Sequence, residues 1–203
     1  MSTGLLLPAF YLPNISYFQT IKNNDSHIII EKFEHFPKQT FRTRTQIATA
    51  NGVLDLIVPI IHGKKERVAM KDVRINYDHP WQRLHWLSLQ TAYRSSPYFE
   101  FYEDDFRIFF ERKYEFLFDF NVEQLQLILK LLKWNKEIVF TESYIAESPN
   151  DMDYRAVIHP KQPSLLKKPK SYYQLFEDKN GFRPDLSIID LIFSQGPQSK
   201  NYI

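Results

Sequence analysis

Three cationic side chains are closely spaced in the stretch KQTFRTR, residues 38–44. If this stretch is part of a β-strand, the alternation of side chains places Lys38, Arg42 and Arg44 on one face, with Thr40 and Gln46 between and beyond them. That face carries no carboxylate, so an anionic ligand would relieve the repulsion among the cations. An arginine fork binds phosphate or carboxylate through two parallel hydrogen bonds. The stretch therefore predicts that Lys38, Arg42 and Arg44 bind the anionic part of a substrate.

Two other interpretations of these cations remain open. The face could be solvated, or its cations could form salt bridges to Glu31, to Glu34 or to the pair Asp104-Asp105. On the pattern alone, these accounts and the ligand site are equally good.

A tryptophan and a histidine share one face of a predicted helix. Trp81 and His85 are four residues apart in WQRLH, so they are neighbours on the helix surface. Imidazole titrates near neutral pH, which makes His85 the candidate catalytic residue, as a general base, and Trp81 a candidate substrate-binding residue. The alternative is a hydrogen-bonded histidine in the core or at its boundary. His79 and His85 do not have the spacing of a zinc-binding helix motif, and we predict no metal site.

The proline-bounded segment PAFYLPNISYF, residues 8–18, offers a third candidate site. Tyr11 precedes a predicted helix whose first N–H groups lack partners within the helix and could bind an anion. Tyr11 is therefore a candidate substrate-binding residue that could stack on a base or a sugar. The alternative is a rigid turn with packed aromatic side chains.

The elements that must position these residues indicate a mixed α/β fold that opens with a β-α-β unit. Short apolar strands at residues 5–7 and 27–31 flank a helix at about 14–22, and a crossover of this kind joins parallel strands. Ligands of such folds bind beyond the carboxyl ends of the strands, which here means near residues 8–13 and 31–38.

A β-hairpin or meander is predicted next. An Asn51-Gly52 turn joins strand-like runs at 40–48 and 53–60, and a third strand near 68–75 would extend the sheet.

A helical segment follows, and its apolar stripes are predicted to be core. The predicted helices begin at Pro80, Asp104 and Asn121; the elements after them are short strands near 139–145 and 155–158, an exposed loop at 159–170 and a helix at 186–193. We expect residues 1–203 to form a single compact domain.

The composition excludes several classes of protein. The 203 residues contain 26 basic and 24 acidic side chains, a net charge of +2 that argues against a general nucleic-acid binder. The absence of cysteine excludes disulfides, thiolate metal sites and a cysteine nucleophile. Glycine-rich phosphate loops do not occur, so a nucleotide would be held by side chains or by a helix N-terminus. Without a signal peptide or a run of ~20 apolar residues, we expect a soluble, cytoplasmic protein with no integral membrane segment.

Several segments, in their order and spacing, resemble the WbqC-like family, most of all its branch in Bacteroidetes-type bacteria. They are LPAFYLPNISYF, KQTFRTR, NGVLDLIVPI, KDVRI, WQRLH, AYRSSPYFEFYEDDF and, near the end, YYQLFEDKNGFRPDLSIIDLIFSQGP. The positions that match motifs of the family are Lys38, Arg42, Arg44, Trp81, His85, Tyr11 and Pro13. Where other members have a glycine-rich stretch, this chain has SPNDMDYRAVIHP, residues 148–160. If that stretch binds substrate elsewhere in the family, this branch binds something different.

The resemblance implies a role in bacterial biosynthesis of O-antigen, lipopolysaccharide and other surface polysaccharides. It suggests a transferase that moves an acyl or aminoacyl group, glycine among the suggestions, onto a sugar. The cationic residues would then hold a nucleotide-linked or phosphorylated sugar, and His85 would free the attacking amine or hydroxyl. The resemblance does not imply any particular cofactor.

Two further accounts of the function stay open. One is a non-catalytic partner in a polysaccharide assembly complex, because the sequence has no recognisable nucleophile and many aromatic residues. The other is a nucleotidyltransferase-like enzyme, although the paired-histidine signature of adenylyl-transferring ligases is missing at residues 13–17.

Overall fold

A computed structural model describes residues 4–61, 67–146 and 152–203 of the chain. The strands are β1 (Leu5–Leu7), β2 (Ile28–Ile30), β3 (Arg44–Thr49), β4 (Gly52–Ile57) and β5 (Ile138–Phe140). The helices are α1 (Ile15–Lys22), α2 (Trp81–Tyr93), α3 (Phe99–Glu111), α4 (Leu117–Leu131), α5 (Glu177–Asn180) and α6 (Ile188–Gln195), with 3-10 turns at Met70–Asp72 and Gly196–Asn201. The predicted mixed α/β fold is confirmed.

A small parallel sheet carries the N-terminal β-α-β unit. Its strands lie in the order β1-β2-β5, and both neighbouring pairs are parallel. Leu5 pairs with Ile28, and Ile28 with Ile138, so the amino ends of the strands share one edge. The apolar runs of β1 and β2 are largely buried, as strands covered on both faces usually are, whereas Val139 and Phe140 of β5 are 38% and 36% exposed. The predicted β-α-β unit is confirmed.

The hairpin of β3 and β4 forms at the predicted Asn51-Gly52 turn. The two strands are antiparallel, and Gly52 has a φ of +106°, a conformation that glycine tolerates best. However, β3 begins at Arg44, because residues 38–43 form turns in which Gln39 has a φ of 60°. The prediction of a strand from residue 40, with Lys38, Arg42 and Arg44 along one face, is therefore wrong.

The third strand of the predicted meander is also replaced by another structure. Residues 70–72 form a 3-10 turn, and the pairings near it among described residues are isolated bridges, such as that of Ile60 with Ile75. The strand predicted at 155–158 is likewise a turn. Both segments have strand-like composition, but tertiary contacts decide their conformation.

Two helices begin earlier than predicted. Pro80 directly precedes α2, as expected, but α3 begins at Phe99 rather than at Asp104, and α4 at Leu117 rather than at Asn121. Asn121 lies inside α4, fully buried, where its amide nitrogen donates to the carbonyls of Ala9 at 2.9 Å and Arg42 at 2.8 Å. A tertiary role, not a cap, accounts for this asparagine.

One contiguous hydrophobic core joins the strands to the helices. Phe193 of α6 lies against the rings of Tyr93, Phe99 and Phe106, at centroid distances of 5.3, 5.0 and 5.3 Å. These tilted and edge-on contacts are the geometry that aromatic pairs prefer. Among the helices that the structure describes, none is long and apolar enough to cross a membrane.

Candidate functional site

A cleft of about 510 Å³ opens beyond the carboxyl ends of the parallel strands. Its walls come from the segment that follows β2, from the segment that follows β5, and from residues 153–159, which run beside β1 through a bridge between Leu6 and Asp153. The polar and aromatic lining residues are Glu34, His35, Lys38, Thr40, Arg42, Tyr144, Asp153, Arg155 and His159. Part of this location, residues 31–38, was predicted from the fold.

A buried ion pair between Arg42 and Glu34 forms one wall of the cleft. The Nε and Nη2 atoms of Arg42 each donate to a carboxylate oxygen of Glu34 at 2.7 Å, and the Arg42 residue is only 1% exposed. Nη2 also donates to the carbonyl of Arg155 at 3.1 Å. Burial raises the pKa of the Glu34 carboxyl, and the charge of Arg42 opposes that effect. The salt-bridge interpretation of Arg42, with Glu34 as its partner, is what the structure shows.

A second guanidinium is held by two carboxylates. Arg155 Nε donates to Asp153 Oδ1 at 2.9 Å, and its Nη1 donates to the Ile145 carbonyl at 2.7 Å and contacts Glu31 Oε2 at 3.4 Å. The hydrogen bonds that Arg155 donates to the Asp153 carboxylate raise the pKa of Arg155. Burial alone would raise the pKa of the Asp153 carboxyl, but the hydrogen bonds and charge of Arg155 outweigh it and lower that pKa. Both guanidinium groups in the wall of the cleft are thus held in place by carboxylates of the protein, which balance their positive charges.

Aromatic and cationic groups complete the mouth of the cleft. The ring of Tyr144, which is 54% exposed, stacks with His35 at a centroid distance of 6.4 Å, and the Arg155 guanidinium lies 5.5 Å from the Tyr144 ring centre. Lys38 is exposed and makes no side-chain hydrogen bond or ion pair within the described part of the chain. His159 Nδ1 accepts a hydrogen bond from the backbone of Lys161 at 3.0 Å, so its neutral form carries the proton on Nε2.

The other predicted site residues lie in a separate, buried cluster. The Tyr11 hydroxyl and His85 Nδ1 are 2.9 Å apart, and the Trp81 ring lies 5.1 Å from the His85 ring. Burial lowers the pKa of His85 to about 4, although a hydrogen bond with the Ile57 carbonyl opposes the shift. His85 is therefore neutral at pH 7, with the Tyr11 hydroxyl donating to Nδ1. Arg44 pairs across the hairpin with Ile57, and its Nε is buried without a partner among the described residues.

The predicted site residues thus divide between two places. Lys38 and Arg42 line the cleft, whereas Tyr11, Trp81 and His85 contact one another in the interior. Arg44 does not line the cleft.

The start of α1, predicted as an anion site, is already occupied by a carboxylate of the protein. Asp185 Oδ1 accepts from the backbone N–H of Ser16 at 2.7 Å, and its Oδ2 accepts from Asn14 Nδ2 at 3.0 Å. Asn14 occupies the N-cap position, but within the described part of the chain its side chain makes no cap hydrogen bond. Asp185 thus caps the helix from a distant part of the sequence.

Several cleft residues gave no recognisable signal in the sequence. Tyr144, Asp153 and Arg155 follow no motif, and their proximity to Glu34 depends on tertiary structure. The only indication was that residues 148–160 differ from the family pattern. Among the residues that the structure describes, no group of three or more histidine, aspartate and glutamate side chains is placed to hold a metal ion.

Comparison with protein-family models finds a match to the WbqC-like protein family over residues 9–164. No curated protein and no solved structure matches the chain. The matched range contains every residue that lines the cleft, as well as Tyr11, Trp81 and His85. It covers well over half of the chain, and α5 and α6 lie beyond it. The chain therefore belongs to the WbqC-like protein family.

Proposed function

We propose that this protein is a sugar-modifying transferase of surface-polysaccharide biosynthesis, and that it binds a phosphorylated or nucleotide-linked sugar in the cleft. The observation that carries the proposal is a combination of groups around a single cleft. They are two guanidinium–carboxylate ion pairs, Arg42–Glu34 and Arg155–Asp153, the exposed ring of Tyr144, and Lys38, which has no partner among the described residues. The volume of the cleft, about 510 Å³, is in the range of small-ligand sites, ~300–1,000 Å³. Family membership supports the polysaccharide setting.

The walls of the cleft favour a neutral polyol rather than a bare anion. The charges of Arg42 and Arg155 are balanced by carboxylates, so a second full negative charge would have to compete with Glu34 and Asp153. The Arg155–Asp153 pair is the accessible one, with side chains 10% and 31% exposed. Guanidinium N–H groups donate and carboxylate oxygens accept, so this pair can hold sugar hydroxyls both as donors and as acceptors. The exposed ring of Tyr144 offers an apolar face for the ring of a sugar.

The anionic part of the ligand is assigned to the mouth of the cleft. Lys38 has no carboxylate partner in the described structure, and an ammonium group binds phosphate as a point charge. The Nε2–H of neutral His159 can add a donor on the same wall. This arrangement keeps Lys38 as a substrate-binding residue, whereas Arg42 acts on the ligand only by holding Glu34 in the wall of the cleft.

For the chemical step we assign the general base to His35. It lines the cleft, stacks on Tyr144, and uses neither ring nitrogen in a hydrogen bond within the described residues. From there it could take a proton from a sugar amine or hydroxyl as that group attacks the carbonyl carbon of an acyl or aminoacyl donor. An amide or ester bond forms, the bond between the acyl group and its carrier breaks, and the carrier leaves with the proton that the histidine returns. His85 stays the alternative base, but it would act only if the Tyr11 hydroxyl released its Nδ1.

A thermal-shift screen tests the binding part of the proposal. The panel holds nucleotide sugars, sugar phosphates, nucleoside triphosphates, acyl-coenzyme A species and free amino acids, applied to the wild type and to Lys38→Ala and Tyr144→Ala. A ligand at 100 times its Kd adds about 2.7 kcal/mol, which raises Tm by about 5–10 °C in a protein of this size. We expect the shift by a nucleotide sugar to fall in both variants and to persist in Lys168→Ala, an exposed control. Equal shifts in all four proteins would contradict the proposal.

The chemical part needs a separate experiment. A sugar that shifts Tm is incubated with acyl and aminoacyl donors, and the products are measured by mass spectrometry for the wild type, His35→Gln and His85→Gln. We expect His35→Gln to bind the sugar but to lose turnover. Turnover lost only in His85→Gln would move the base to the buried cluster.

A second candidate function is that of a non-catalytic partner in an assembly complex. The outer faces of α2 and α3 expose large apolar side chains, namely Leu84, Leu87, Phe101 and Ile108. Exposed apolar side chains that form a contiguous patch mark sites of protein–protein interaction. If this account is correct, no ligand of the panel shifts Tm, and Leu84→Ser/Phe101→Ser abolishes association with a polysaccharide-assembly enzyme.

A further inference from the structure

A second concave site lies at the opposite edge of the parallel sheet from the cleft. We call it the basic hollow, a shallow and open depression of about 530 Å³. It is lined by Gln126, Lys130, Lys133, Trp134, Asn135 and Lys136 and by the apolar side chains of Leu129 and Ile138. Ile138 is the first residue of β5, so the hollow is at the amino end of this strand, whereas the cleft lies beyond its carboxyl end. The two sites share no residue.

The charge of the hollow is uncompensated. Of the residues that the structure describes, three lysines line it and no carboxylate does. Lys136 Nζ is fixed by a hydrogen bond to the Asn24 carbonyl at 2.6 Å, but Lys130 and Lys133 make no side-chain hydrogen bond or ion pair within the described residues. The C-terminus of α4 contributes a partial charge of only about −0.5, which cannot balance three ammonium groups. A bound anion would supply the missing charge.

The conformation of Lys133 is the second observation. The backbone N–H of Lys133 donates to the Lys130 carbonyl at 3.0 Å, and that of Trp134 donates to the Leu129 carbonyl at 2.9 Å, which is the bonding pattern of a Schellman cap. The cap requires a left-handed residue, usually glycine, and here it is Lys133 with a φ of 57°. Glycine, the usual residue at this position, would leave the hollow without one of its three ammonium groups.

We propose that the basic hollow is a binding site for a phosphate group, with Lys130, Lys133 and Lys136 as the cationic ligands and the amides of Gln126 and Asn135 as further donors. Ammonium groups neutralise phosphate as point charges, and the side-chain amides can donate to its remaining oxygens. The site is independent of the proposed function, because it lies outside the cleft. The phosphate could belong to a soluble compound or to a lipid headgroup, and the experiment separates these sources.

Trp134 provides the readout, because its indole lines the hollow and is partly exposed. Inorganic pyrophosphate is titrated into the full-length protein at low salt, and the fluorescence change is followed in the wild type and in Lys130→Ala/Lys133→Ala. The matched control is Lys168→Ala/Lys179→Ala, which removes the same charge from exposed positions elsewhere. We expect a saturable change in the wild type and the control, and at least a tenfold weaker Kd in the hollow variant. Trp134→Phe should remove the signal while calorimetry still detects binding.

The second arm uses vesicles of phosphatidylglycerol against vesicles of phosphatidylcholine in a sedimentation assay. If the protein binds pyrophosphate but does not sediment with anionic vesicles, the ligand is a soluble phosphate compound. If the wild type sediments with anionic vesicles and the hollow variant does not, the ligand is a lipid headgroup. If neither probe binds, or if the hollow and control variants weaken binding equally, the proposal is overturned. Lys133→Gly guards against a folding artefact, because it relieves the backbone strain and yet should weaken binding.

Discussion

Replacing Arg42 by methionine should destabilise the protein far more than removal of an ordinary surface arginine. The substitution keeps most of the side-chain length but leaves the Glu34 carboxylate without its two 2.7 Å partners. The side chains of the pair are only 1% and 9% exposed, so water cannot replace the lost hydrogen bonds. Breaking a buried pair in this way costs about 3–5 kcal/mol. For a protein of this size the loss corresponds to about 6–20 °C in Tm.

The assay is urea unfolding of a double-mutant cycle: wild type, Arg42→Met, Glu34→Gln and the double variant. The double variant buries no uncompensated charge, so it should recover much of the loss, with a coupling energy of at least about 2 kcal/mol. The control is Arg107→Met, whose ion pairs with Asp104 and Glu111 are largely exposed and worth less than about 1 kcal/mol. A loss below 1 kcal/mol for Arg42→Met, or strict additivity in the cycle, would refute the reasoning.

The same pair gives the sign of a pH effect. Burial raises the pKa of Glu34 in the folded protein, so the folded state binds this proton more tightly than the unfolded state does. The corresponding stability is present below the unfolded pKa and is lost as pH rises through the folded pKa. Without Arg42 that pKa rises further, so the deficit of Arg42→Met should be largest near pH 8 and shrink on acidification.

Three further predictions concern other parts of the fold. Burial lowers the pKa of His85 to about 4, so on acidification the unfolded state takes up the proton of this imidazole before the folded state does. The free energy of unfolding should therefore fall by up to ~3 kcal/mol as pH drops from 6.5 to 4. Urea unfolding should show this loss in the wild type and not in His85→Gln. Asp185→Ala removes the acceptor of the Ser16 N–H and should lower the free energy of unfolding by about 1–2 kcal/mol, whereas Asp185→Asn, which tolerates the φ of 60°, should lose less; equal losses would argue against capping. Lys133→Gly should raise Tm, because glycine relieves a φ of 57° worth about 1 kcal/mol, and an unchanged or lower Tm would argue against strain at this cap.

Local sequence signals predicted those elements whose conformation is decided locally. The hairpin could be predicted from the sequence because its Asn51-Gly52 turn needs a positive φ, which glycine tolerates. The β-α-β unit could be predicted because the apolar runs of β1 and β2 flank a helix of suitable length. The strand expected from residue 40 failed because Arg42 is drawn into the interior by Glu34, which local spacing does not encode.

The candidate site was only partly visible for the same reason. Lys38 and Arg42 stood out as cations, and residues 31–38 were expected at the ligand-binding edge of the sheet. Tyr144, Asp153 and Arg155 come from segments more than a hundred residues away, and only the folded chain brings them to Glu34. Asp185, which caps α1 from 169 positions beyond Ser16, is equally invisible to any local rule.

Calorimetric titration with a nucleotide sugar and with the corresponding free sugar tests the central claim most directly, in the wild type and in Lys38→Ala. If Lys38 holds the phosphate, the wild type should prefer the nucleotide sugar by about 10- to 100-fold, since a charge-assisted hydrogen bond is worth about 1.5–3 kcal/mol. Lys38→Ala should lose most of this preference, while Tyr144→Ala should weaken both ligands alike. A preference that survives intact in Lys38→Ala, or no binding of either sugar to the wild type, would contradict the account.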